Sequence, residues 1–337
     1  MTGDDYRGLG WAHGALTVQR LGAMLAPVTF LLADGRQVSP MHVAPWANEP
    51  EAGALPGILR KLRGEWPCVP FGYSVPVEGW PETWASVMGP PAPDEEAHGH
   101  SSNHDWTWRE DDGGSLSLTL AYPEESPVER VERTITPDPS APAIDIEFRI
   151  FVRRACRLPI GLHPVFRLPV GIGAATLELD GFAEGRTYPH DVEPGAELFA
   201  RDKSFNDLTS VPARAGGTVD ASRLPLSADT EELLQIEGLD GTAALANHAE
   251  GYRVKLSWRK EHFPSLLLWY SNRGRKASPW NGRHVAIGIE PICSPFGLGP
   301  ATALADNPIA RSGVATAREF SPDEPFVTRY RIEASAL

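Results

Sequence analysis

The sequence predicts an all-β protein of antiparallel strands, a sandwich or a barrel. Three observations carry this reading. Apolar and polar residues alternate with period two along many short runs, Pro, Gly or Asp clusters bound each run, and few stretches of fifteen residues lack a helix-breaking Gly or Pro. Glycine and proline number 32 each in 337 residues, well above the average usage of about 7% and 5%. They follow no period, which excludes a collagen-like chain.

In chain order, Thr29 to Val38 reads as a hairpin turning at Asp34-Gly35. Pro81 to Met88 offers two helical turns with an early Pro. Asp111 to Gly114 is a turn before a strand in which Leu116, Leu118 and Leu120 alternate with Ser115, Ser117 and Thr119. Pro137 to Pro142 is a loop, followed by Ile144, Ile146, Phe148 and Ile150 alternating with Asp145, Glu147 and Arg149. Residues 202–230 are irregular, a long loop or small insertion. Val254, Leu256 and Trp258 form another alternating run, Pro300 to Asp306 another helical turn or two, and Phe326, Tyr330 and Ile332 a last strand. No internal repeat is visible, and a single domain over 1–337 is expected.

Hydrophobic residues make up 42% and charged residues 22%, ordinary for a globular chain. The net charge of −13 disfavours phosphate backbones and anionic lipid, so no nucleic acid or membrane partner is expected, while a neutral small molecule is unaffected. Cys68, Cys156 and Cys293 are odd in number and widely spaced, without a disulfide or zinc pattern. Met1 to Trp11 has no apolar core of a signal peptide, and the longest apolar run, Leu21 to Ala33, is too short to span a bilayer. A cytoplasmic monomer or homodimer is the expectation.

Four segments could hold chemistry. Ala97 to Trp106 places His98, His100 and His104 within seven residues: a metal site, the lining of a ligand pocket, or a solvated loop. H-x-H on a strand would put two imidazoles on one face. In Gly161 to Pro169, His163 is held extended by Pro164, which aims its ring into a cleft or fixes a core histidine. In Val285 to Pro291, Val285, Ile287 and Ile289 share one face and Ala286, Gly288 and Glu290 the other. Small neighbours leave room above Glu290, which is either a base of raised pKa or the partner of an arginine such as Arg283. Leu62 to Gly72 fixes Arg63 on a rigid backbone as a donor to sugar hydroxyls or carboxylates, or as a surface arginine. Trp66, Trp80, Trp84, Trp106 and Trp108 are core or a stacking platform.

Taken together, these segments resemble the galactose mutarotase-like superfamily, the aldose 1-epimerases and their hexose-6-phosphate relatives. Arg63-Gly64-Glu65-Trp66-Pro67 to Phe71-Gly72 is similar to R-G-G-x-P…F-P-W-F-G, and His98-Gly99 with Asn103 and Trp106 to H-G-F-x-R-x…W. His163-Pro164-Val165-Phe166-Arg167-Leu168 is similar to H-P-Y-F-x-L and Ile289-Glu290-Pro291 to the late E-P, all in family order. The resemblance implies a large antiparallel β-sandwich, the supersandwich, and catalysis without metal or organic cofactor. It implies Glu290 as the base that takes the anomeric hydroxyl proton and His163 as the acid that protonates the ring oxygen. His98 and Arg63 would bind the sugar. The arginine of H-G-F-x-R is replaced, since Ser101 and Ser102 follow His100. The family's substrate-binding Asp is sought in Leu234 to Glu237, which offers Gln235 or Glu237. Two further readings are a carbohydrate-binding relative without efficient catalysis and a cupin-type metal enzyme using His98, His100 and His104.

Overall fold

The computed structural model describes residues 5–91, 95–110 and 113–337. Two large sheets dominate. In the nine-stranded sheet, Arg223–Leu224, Ala175–Glu178, Thr242–Asn247, Tyr252–Trp258, Phe326–Ala336, Ala143–Val152, Val128–Pro137, Leu116–Ala121 and Thr107–Trp108 lie side by side. In the eight-stranded sheet the order is Ser204–Phe205, Glu184–Thr187, Thr230–Glu237, Ser265–Asn272, Val285–Cys293, Ile160–Leu162 and Pro67–Cys68, with Val165–Arg167 also paired to Val285–Cys293. Every strand pairing in both sheets is antiparallel, as the period-two pattern predicts.

The alternating runs supply the core between the sheets. Leu116, Leu118, Leu120, Ile144, Ile146, Phe148, Ile150, Val254, Leu256, Tyr330 and Ile332 point inward from the nine-stranded sheet. Leu234, Ile236, Leu266, Leu268, Tyr270, Ile287 and Ile289 meet them from the other. Fully burying one such side chain contributes about 1.5–3 kcal/mol. The polar partners of the first set, such as Glu147 and Arg149, face solvent, so that sheet is covered on one side only.

The eight-stranded sheet is covered on both. Its other face, carrying Leu267, Trp269, Ala286 and Ile292, lies under Trp46, Trp66, Trp84, Trp280, Phe296 and Leu298 from connecting segments. This explains why Ser265–Asn272 and nearly all of Val285–Cys293 are buried without alternation.

A four-stranded sheet, Tyr6–Trp11, Gly14–Gln19, Leu25–Leu31 and Gln37–Val38, includes the expected hairpin, with Phe30 opposite Val38 and Gly35 in the left-handed region at φ 83°. Short helices at Glu82–Ala85 and Gly299–Leu304 match the two helical expectations. Residues 202–230 are not a structureless insertion: Ser204–Phe205 and Arg223–Leu224 extend one edge of each large sheet, and Val211–Pro212 pairs with Thr218–Val219. Strands this short are too brief for alternation to register. The turn expected at Asp111 to Gly114 lies partly outside the described residues. The three cysteines are free thiols, and among the described residues no helix is long and apolar enough to cross a membrane.

Candidate active site

The covered face of the eight-stranded sheet is ruled by register. Gln235 stands opposite Leu267, and Leu267 opposite Glu290. The next rows are Leu233, Trp269 and Gly288, then Glu231, Ser271 and Ala286. Opposed residues in antiparallel strands share a face, so all of these side chains look the same way. Gly288 leaves a hole in its row, and the Glu290 carboxylate fills it: a Cβ built on Gly288 would stand 2.3 Å from Glu290 Oε1.

His163 arrives at the same place by a different route. Ile160–Leu162 and Val165–Arg167 both pair with Val285–Cys293, and the chain breaks between them at His163-Pro164. The His163 amide donates to the Trp66 carbonyl at 2.9 Å, and the Ile289 amide to the Pro164 carbonyl at 2.9 Å. The imidazole therefore lies beside Glu290, with Nδ1 3.4 Å from Oε1. Its ring stacks on Trp66 with centroids 4.1 Å apart and meets the edges of His98 at 4.9 Å and Trp269 at 5.9 Å. Glu290 is 1% exposed and His163 5%. Among the described residues Glu290 has no hydrogen-bond partner. Burial pushes its carboxyl well above the usual range. Burial, and secondarily the proximity of His98, holds His163 well below its own.

His98 is presented by a constrained loop. It has φ 60°, costly for a residue with a Cβ, and Gly99 follows at φ 76°, where a Cβ would meet the Val69 carbonyl at 2.4 Å. Asn103 holds the loop by donating to the carbonyls of Ala97 (2.7 Å) and Gly99 (2.8 Å) while accepting from the Ile58 amide at 2.9 Å. The Ser102 hydroxyl donates to the His98 carbonyl at 2.7 Å. Phe71 supports the ring at 5.0 Å. Burial, then Arg275, lowers the His98 pKa to about 4.

No protein-family model matches the chain, and no curated protein matches it significantly in sequence. Solved structures do. The Slr1438 protein from Synechocystis sp. superposes with a TM-score of 0.64 at 14% identity, covering 100% of this chain and 99% of that one. A GalM/aldose epimerase homologue from C. elegans gives 0.62 at 14% identity, with 98% and 99% covered. A galactose mutarotase-like protein from Lactobacillus casei gives 0.57 at 12% identity, again with 98% and 99% covered. The fold is that of the galactose mutarotase-like proteins.

Within this galactose mutarotase-like fold the other sequence candidates take different positions. Arg63 is a buried arginine, not a surface one. Its guanidinium donates to the Lys61 carbonyl (3.1 Å), the Asn48 side-chain oxygen (3.0 Å) and the Ala47 carbonyl (3.5 Å) and lies over the Tyr6 ring. None of these partners belongs to the His163–Glu290 pair. Gln235 shares the Glu290 row, but both ends of its amide are used: Nε2 donates to the Ser294 carbonyl at 3.2 Å and Oε1 accepts from the Phe296 amide. Glu237 is held by Arg186 at 2.9 Å. Arg283, the alternative partner of Glu290, is instead paired with Glu49. Of the tryptophans, Trp84 and Trp106 are core, Trp66 backs His163, and Trp80 stacks on His190.

The H-x-H reading fails because His100 opens a short helix, His100–Asn103, instead of lying on a strand. His98 joins His163, whereas His100 and His104 turn to Glu96.

Two groups at the site escaped the sequence reading. Glu231 is a buried carboxylate that accepts from Trp269 Nε1 (2.6 Å) and Ser271 Oγ (3.0 Å), with Arg275 Nε at 3.3 Å. Burial raises its pKa against the opposing pull of Arg275. Arg275 also lies over the Trp280 ring at 4.6 Å and is partly exposed. Glu231 has the same parity as Gln235 and Glu237 on one strand, so extending that alternation by two steps would have found it.

Proposed function

We propose that the protein is a sugar mutarotase of the aldose 1-epimerase type, with Glu290 and His163 as its acid–base pair. The observation that carries this reading is the 3.4 Å approach of His163 Nδ1 to Glu290 Oε1 in a site walled by Trp66, Trp269 and His98.

Interconverting anomers requires one proton removed and one delivered. Glu290 takes the proton of the C1 hydroxyl. The C1–ring oxygen bond breaks as the C1 carbonyl forms, and His163 delivers a proton to the ring oxygen. Rotation about C1–C2 and reclosure return both protons with C1 inverted. A buried pair that resists net charge suits this cycle. Its neutral form, with Glu290 protonated, and its carboxylate–imidazolium form differ by one proton crossing a short gap. Only the second form has the base free and the acid loaded, and sugar hydroxyls placed against the pair stabilise it. His98 and Arg275, both partly exposed, mark the side from which the sugar approaches. Trp269, whose ring meets His163, and Trp280, which lies under Arg275, wall this side of the site.

Polarimetric mutarotation over a panel of aldoses, run with a binding screen, tests the reading. Catalysis that raises the anomerisation rate above the buffer rate and is lost in Glu290→Gln supports it. Binding without any acceleration supports the second reading, a carbohydrate-binding relative. That reading draws on the engagement of Arg63 and Gln235 by their own scaffold.

A further inference from the structure

The loop that delivers His98 carries a second cluster that the sugar chemistry does not use. Glu96, His100 and His104 recur at four-residue spacing, and their donor atoms all lie within 4.8 Å of one another. His104 Nε2 is 2.9 and 3.1 Å from the two Glu96 oxygens, and His100 Nδ1 is 3.5 Å from Oε2. The two imidazole rings lie with centroids 3.8 Å apart and planes tilted by 30°, and the Tyr122 ring is 4.7 Å from His100.

Bonds of about 2.0–2.1 Å at tetrahedral angles place zinc ligands about 3.4 Å apart. The two Glu96–histidine separations already bracket that value, and all three donor groups lie within 4.8 Å of one another. Two imidazoles and one carboxylate, with no thiolate, suit zinc and its neighbours in the first transition row, while magnesium and calcium favour all-oxygen shells. We propose that Glu96, His100 and His104 form a binding site for one divalent transition cation, zinc by preference, with a fourth position left to water. The ion ties residue 96 to residues 100 and 104 across the left-handed turn at His98-Gly99, so it braces the loop that presents His98. This departs from the metal-free expectation drawn from sequence and does not depend on the sugar reading.

The test uses the full-length protein stripped with chelator and dialysed, titrated with zinc chloride by calorimetry. Cobalt(II) serves as a second probe, read by its visible absorption. One equivalent is expected to bind, with a rise in Tm. His104→Ala and Glu96→Gln, both at solvent-accessible positions, are each expected to weaken binding by at least about tenfold and to abolish the Tm rise. His98→Asn is expected to leave metal affinity unchanged. No saturable zinc or cobalt binding overturns the proposal. So does one-equivalent binding that is equally tight in both ligand variants, or calcium and magnesium binding as tightly as zinc.

Discussion

Glu290 occupies the space that Gly288, two residues earlier on the same strand, leaves empty: a methyl group at 288 would sit 2.3 Å from Glu290 Oε1 and 3.0 Å from Trp269 Cβ. The glycine is in an extended strand, so the constraint is volume and not backbone conformation. Gly288→Ala is therefore expected to fold and to push the carboxylate off its position beside His163. A displacement of about 1 Å at reacting groups costs on the order of 10²-fold in rate, whereas overpacking costs about 1–3 kcal/mol of stability. Activity and Tm measured on the same preparation check this. An alanine variant with unchanged turnover removes the geometric argument for Glu290.

Glu290→Gln keeps the shape and the burial but cannot shuttle a proton, and His163→Asn does the same on the other side of the pair. Each is expected to lower kcat by about 10²–10⁴-fold with little change in sugar affinity, because the lost interaction belongs to the transition state. The double variant is expected to lose less than the product of the two, since the groups act on one proton exchange. Full additivity would mean that they work independently.

The period-two alternation made the nine-stranded sheet legible, because one of its faces is wet. The strand Ser265–Asn272 was not legible: both its faces are buried, and a run such as Leu266-Leu267-Leu268-Trp269 carries no period. His163, Glu290 and His98 were placed by short motifs around Pro164, Pro291 and Gly99, where the backbone constrains the side chain. Arg63 and Gln235 show the limit of that route. A motif names a residue type at a position, but a guanidinium or an amide has several donors, and which groups satisfy them depends on segments distant in sequence, such as Ala47-Asn48 and Ser294 to Phe296. Glu231 and Arg275 belong to no motif: strand register brings Glu231 to the site, and Arg275, on the segment after Ser265–Asn272, reaches it by pairing with Glu231.

Arg63 is expected to behave as a brace. Arg63→Ala leaves the Lys61 and Ala47 carbonyls and the Asn48 side chain without a buried donor. Each unsatisfied group costs about 1–3 kcal/mol. Thermal unfolding is expected to show a large drop in Tm, while kcat/KM per folded molecule stays within about threefold of the parent. Arg63→Lys, which restores charge but not the planar fork, is expected to recover only part of the stability. A stable Arg63→Ala protein whose KM rises more than tenfold would return Arg63 to the sugar.

The buried pair also fixes how stability depends on pH, and the two partners act in opposite senses. The Glu290 carboxyl is raised by burial above its ordinary value of 4.5. Above that pH the unfolded chain has released this proton while the native state retains it. The native state then binds more protons, and stability falls as pH rises toward the native value, by at most about 1.4 kcal/mol per pH unit. Below 4.5 the contribution of Glu290 is fully present. His163 is lowered from 6.5 by burial, so its contribution is fully present above that pH and is lost as pH falls through the interval below it. Urea unfolding of the parent, Glu290→Gln and His163→Asn between pH 5 and pH 9, at constant ionic strength, separates the two. The stability of Glu290→Gln relative to the parent is expected to rise with pH, and that of His163→Asn to rise as pH falls below 6.5. Curves that run parallel to the parent across the whole range would mean that neither group changes its proton affinity on folding. The neutral, one-proton pair that the proposed chemistry starts from would then have no physical basis.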